Sequence, residues 1–202
     1  DYEYGIAVPG KIYDDYVKEH PGEEIPYNAP GNYYLSGREA ERPIYVEVFE
    51  SDGTKVIDQA AGVRLSGGYS RVPDQKSLRL IARKSYDPDN GKFKYAFFEG
   101  AQTADGVPVS EFDRIVLRNG ANDREFAGVR DELSQKLAQD YGYPVTQHCT
   151  PAAVFLNGEY YGYSWVHENY NEDYLATYFG GNKDNYEIVS NSEDADEGSE
   201  RA

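Results

Sequence analysis

The chain has 202 residues, of which 39% are hydrophobic, enough for one domain with a buried core and too apolar for a disordered chain. Its 36 acidic residues outweigh 20 basic ones, and the net charge of -16 argues against nonspecific binding to nucleic acid or anionic membrane, leaving room only for a local basic cleft. A lone Cys149 excludes an internal disulfide framework and a CxxC metal site, and no apolar run reaches the roughly 18 residues of a membrane span.

Methionine is absent even at position 1, so the chain reads as a processed, excised or truncated product. Residues 1–43 form an irregular segment rich in Tyr, Pro and Gly, with one short helix at Lys11–Glu19 stopped by Pro21-Gly22. The run IYVEVFE (44–50) alternates like a strand. Ser51-Asp52-Gly53 is a turn, and Thr54–Gln59 and Ala61–Ser66 read as two further short strands. Lys76–Arg83 is the next strand, YDPDNGKF (86–93) a turn, Phe93–Phe98 an aromatic packing segment and Ile115–Arg118 a strand. Val129–Tyr141 is the best helix, because Leu133, Leu137 and Tyr141 recur four apart and Asp131 and Glu132 stand near its start. Asn157-Gly158 marks a hairpin between Ala152–Leu156 and Tyr161–His167. Asn171 caps a second helix, Glu172–Phe179, that ends at Gly180-Gly181, and Tyr186–Val189 is a last strand. The pattern is α+β: a domain at 44–190 with a twisted, mostly antiparallel sheet and one main packing helix, followed by an acidic flexible tail at 191–202.

Three constellations carry chemistry. Arg64, Arg71, Lys76 and Arg79 lie within 16 residues of an otherwise acidic chain. With Gly67, Gly68 and Ser70 they offer amides, a hydroxyl and cations to phosphate oxygens. The competing reading is a solvated edge strand with ordinary ion pairs, and SGGYSR matches no standard phosphate-loop signature. In LRNGANDREFAGVRDEL (117–133), Asn119, Asp123, Asp131 and Glu132 either line a polar cleft or form Asx turns and a helix cap. Glu168 follows a strand and precedes a helix, a frequent place for ligand contacts. No spacing supports a metal cluster of His148, Cys149 and His167. Tyr161, Tyr163 and Trp165, expected on one strand face, suit glycan stacking or core completion.

Several ordered blocks resemble one family. GIAVPGKIYDD (5–15), GREAERPIYVEVFESDG (37–53), AGVRLSGGYSR with QKSLRLIAR (61–83), LRNGANDREFAGVRDEL (117–133) and AAVFLNGEYYGYSWVHENYNEDYL (152–175) resemble segments of the CotH family, the spore-coat protein H type of atypical protein kinase. The likeness runs from about residue 5 to 190. It implies a divergent protein-kinase-like fold that uses ATP and Mg2+ to phosphorylate protein side chains. Carried onto this chain, it implies Lys76 as the phosphate-contacting lysine and Glu132, less directly Asp131, as its helix carboxylate. Arg64, Ser70 and Arg71 would line the phosphates, Asn119 and Asp123 would shape the cleft, and Glu168 would sit near a hinge beside the nucleotide. The family's metal-binding and catalytic acids belong to a later segment, and EDADE (193–197) lacks their hydrophobic frame, so the expectation is a fragment with little or no activity by itself. The implied setting is a spore coat or the cell exterior. The alternative is a noncatalytic glycan- or protein-binding module.

Overall fold

The computed structural model describes residues 1–189 and 195–197. Helix α1 (Gly10–Glu19) comes first, followed by strands β1 (Arg42–Phe49), β2 (Lys55–Leu65), β3 (Leu78–Ile81), β4 (Phe93–Lys94), β5 (Glu111–Phe112) and β6 (Arg114–Arg118). Helix α2 (Arg130–Asp140), strands β7 (Cys149–Leu156) and β8 (Glu159–Glu168), helix α3 (Glu172–Phe179) and short strands β9 (Ile188–Val189) and β10 (Ala195–Glu197) complete the order. The expected flexible tail at 191–202 lies outside the described residues apart from β10, which pairs with β9. The main sheet has the order β1-β2-β3-β6-β8-β7, and every neighbouring pair is antiparallel.

Local chemistry explains several elements directly. Asn157 and Gly158 both adopt positive φ, 52° and 84°, which a two-residue hairpin needs to match the strand twist. They join β7 to β8 where the sequence indicates. Asn171 Oδ1 accepts from the Tyr174 amide at 2.9 Å, capping α3. The two short strands expected at 54–59 and 61–66 are one continuous strand, β2, which pairs with β1 along its length to Val63 and with β3 along its last residues. Each outer strand holds a proline, Pro43 in β1 and Pro151 in β7, and each has a register shift, at Val48/Phe49 and Val154/Phe155.

Strand periodicity gives the sheet two different faces. Leu65, Leu78, Leu80, Ile115 and Val166 point to one side and join Ile57, Ala61, Phe93, Phe98 and Phe112 in the apolar core. Burying each large aliphatic side chain there contributes about 1.5–3 kcal/mol. Phe97 and Phe98 each meet Phe112 edge-on, so the aromatic segment at 93–98 packs as its composition suggests. The opposite face carries one lateral row, Arg64, Arg79, Val116, His167 and Cys149, set by the registers of five adjacent strands.

Helix α2 corrects the expectation of one main packing helix with an apolar stripe. Leu133, Leu137 and Tyr141 are 55%, 48% and 90% exposed, and the one buried residue of the helix is Glu132. The helix attaches through charged and polar groups to the polar face, so a four-residue apolar spacing does not mark the buried side. The apolar face meets α3 instead, through Tyr178.

Candidate functional site

Residues 67–76 fold into a loop between β2 and β3 that is tied by its own backbone. Asn119, buried at the end of β6, donates from Nδ2 to the carbonyls of Gln75 at 2.6 Å and Ser70 at 3.4 Å. Ser77 Oγ donates to Asn119 Oδ1 at 2.9 Å and accepts from the Asn119 amide at 3.1 Å. Arg71 donates to the carbonyls of Gly67, Tyr33 and Leu35, which fastens the loop to the N-terminal segment. Lys76 is 5% exposed; its Nζ donates to the carbonyls of Val72 at 2.9 Å and Pro73 at 2.7 Å and lies 5.1 Å from the Tyr33 ring centre. Its amide donates to Tyr161 Oη at 2.6 Å. Burial lowers the pKa of both Lys76 and Arg71. Both cations are therefore held by neutral carbonyls rather than by carboxylates, in a chain with a large acidic excess.

The structure brings Ser70, Arg71, Lys76 and Asn119 together at this loop, but not the other expected residues. Arg64 donates from Nε and Nη2 to Glu41 Oε2 at 2.9 and 2.7 Å, and Arg83 Nε donates to Glu41 Oε1 at 3.1 Å. The Glu41 side chain is 1% exposed. Gly62 makes room for it: a Cβ there would meet Glu41 at 2.9 Å and Tyr86 at 2.7 Å. Arg64 is thus the partner of a buried carboxylate. Asp123 caps the start of α2, accepting from the amides of Val129 and Arg130, both at 2.9 Å, and pairing with Arg130 Nε at 3.1 Å. The Arg130 amide bond, with others from Ala127 and Val129, holds the Asp123 carboxyl below the usual carboxylate range.

The expected Lys76–Glu132 pair does not form. Glu132 reaches the polar face from α2, whereas Lys76 lies against Tyr33 of the apolar cluster. Glu132 Oε1 instead lies 2.9 Å from Nε2 of His167, which is fully buried. Burial lowers the His167 pKa despite that carboxylate partner. Nδ1 of the same ring is buried and has no hydrogen-bond partner among the described residues. Such a group ordinarily costs about 1–3 kcal/mol. Beside it, Asp131 Oδ2 touches the Arg118 guanidinium. One ligand-capable atom from each of Asp131, Glu132 and His167 lies within 4.8 Å of the others. Cys149 stands directly across from His167 on β7, and burial followed by the charges of Glu132 and Asp131 raises its thiol to about 11. Sequence spacing misses this cluster because its members come from α2 and two sheet strands; the strand register of His167 and Cys149 is the signal that points to half of it.

Glu168, at the end of β8, is 2% exposed on the core side. Its Oε2 accepts from the His148 amide at 2.8 Å and lies 3.0 Å from His148 Nδ1, and Tyr178 donates to Oε1. It borders a shallow open crevice with Asn171, Asp113, Asp173, Lys92 and Tyr178. Burial raises the Asp113 pKa there, although Asn171 donates to both of its carboxyl oxygens. The expected aromatic row divides. Tyr161 packs on the core, while Tyr163 and Trp165 meet edge-on at 83° and do not form a flat stacking platform.

No helix among the described residues is long and apolar enough to cross a membrane. A family model described as CotH kinase protein matches residues 63–201. No curated protein matches the chain.

Proposed function

Because the chain belongs to the CotH kinase protein family, we propose that it contributes the phosphate-binding part of ATP-dependent phosphoryl transfer to serine or threonine of a protein, on a divergent kinase-like fold. The observation that carries this reading is the pair Lys76, buried, and Arg71, half-buried, two cations of the glycine-containing loop 67–76 whose bonds go to neutral carbonyl oxygens. A cation on neutral acceptors gains when a phosphate oxygen replaces them, because the oxygen then carries a charge opposite to its own. Lys76 then holds phosphate charge, and Arg71 and the loop amides orient it. Asn119 positions the loop by fixing the Ser70 and Gln75 carbonyls. ATP is the expected source of the phosphoryl group. Magnesium accompanies it in this reading, but Asp74 is the single carboxylate within 67–76, so no step is assigned to the ion. Glu168 and the adjoining crevice form the hinge side of the cleft. A spore-coat or extracellular setting goes with the same reading.

Titration of magnesium-ATP into the full chain tests it. The native protein binds, and Lys76→Ala weakens binding roughly ten- to a hundredfold, the worth of one or two charge-assisted bonds. Equal affinity in native and variant protein, with the variant folded, overturns the assignment of the loop.

A further inference from the structure

We propose that Asp131, Glu132, His167 and Cys149 form a site for a zinc-class divalent cation on the polar face of the sheet, apart from the phosphate loop. Three of the four already present ligand-capable atoms within 4.8 Å of one another. The fourth, Cys149, is the direct cross-strand neighbour of His167, so its side chain rises from the same face. The donors are two carboxylates, one imidazole and one thiol. That mixture suits borderline-soft zinc and disfavours magnesium, which takes oxygen ligands in octahedral geometry. Burial supports the assignment: His167 is fully buried, and its ring keeps one nitrogen without a hydrogen-bond partner among the described residues.

Charge balance is also satisfied. Asp131, Glu132 and a Cys149 thiolate carry three negative charges, and Arg118 with a divalent ion carries three positive ones. Arg118 keeps 30% side-chain exposure, so it yields one Asp131 oxygen without losing solvent. Cation binding converts the Cys149 thiol to a thiolate and releases its proton to solvent. Asp131 and His167 arise from distant segments, so the ion also pins α2 to β8.

The test uses the full chain, without nucleotide, and metal salts alone. Zinc binds with one ion per chain, and magnesium at equal concentration does not compete. The cobalt-substituted protein shows a thiolate-to-metal charge-transfer band, which disappears in Cys149→Ser. Glu132→Gln weakens zinc binding tenfold or more while the thermal melt of the metal-free protein shows it folded. Absence of zinc binding, equal competition by magnesium, or a cobalt form of the native chain lacking the thiolate band overturns the site. The last measurement needs no variant, so it stands even where a substituted chain fails to fold. Nucleotide titration reads a different loop, so the two assignments fail separately.

Discussion

The two faces of the six-stranded sheet are built from alternate residues of the same strands, yet different forces hold them. On one face Leu65, Leu80, Ile115 and Val166 exclude water together, and any apolar neighbour of suitable volume serves. On the other, Arg64 and His167 each rely on particular atoms brought from elsewhere, the Glu41 carboxylate and the first turn of α2. The apolar face supplies cohesion without direction. The polar face supplies direction and specific chemistry, and it tolerates few substitutes.

The largest expected contrast is on the apolar side. Ile115→Ala, at a residue 1% exposed, lowers unfolding free energy by about 2–5 kcal/mol in denaturant titration. A loss under about 1 kcal/mol breaks the view of that face as the main source of cohesion. Next comes Glu41→Gln, which strands Arg64 and Arg83 beside a neutral acceptor and costs about 1–3 kcal/mol near neutral pH. Burial tends to raise the Glu41 pKa, but bonds from Arg64, Tyr86 and Arg83 outweigh it and hold the group below its ordinary 4.5. A lowered folded-state value means this contribution is complete above that pH and fades as pH falls through the folded value. The variant therefore loses part of the native acid dependence, and an unchanged acid limb of stability against pH contradicts the ion-pair account. The smallest effect sharpens the contrast most: Leu133→Ala, at a residue 55% exposed, shifts stability by no more than about 0.5 kcal/mol. A cost of about 2 kcal/mol there, in the range of a buried leucine, means the leucine stripe packs after all.

That last residue marks the limit of what the sequence reveals. The hairpin at Asn157-Gly158 and the cap at Asn171 are legible because a local backbone need selects the residue. The core strands are legible because alternation reports burial on one face. Helix α2 is legible as a helix but not in its orientation: its buried position is an acid, satisfied by a histidine that is 35 residues distant. The same distinction divides the candidate site. Ser70, Arg71, Lys76 and Asn119 converge because one short loop and one adjacent strand end contain them. Arg64 and Asp123 have the right chemical types but are engaged by Glu41 and by the amides of Val129 and Arg130, partners that residue spacing does not disclose.

The outer strands carry a consequence for life at high concentration. A sheet with two open sides invites a strand from a second molecule to continue it, and repeated addition leads to fibrils. Here each side has a proline that removes one amide donor, Pro43 and Pro151, and a jog in register that bends the row of remaining donors. An incoming strand finds no straight ladder on either side. The six-stranded sheet is thus self-limiting, and replacing these two prolines with valine would invite self-association.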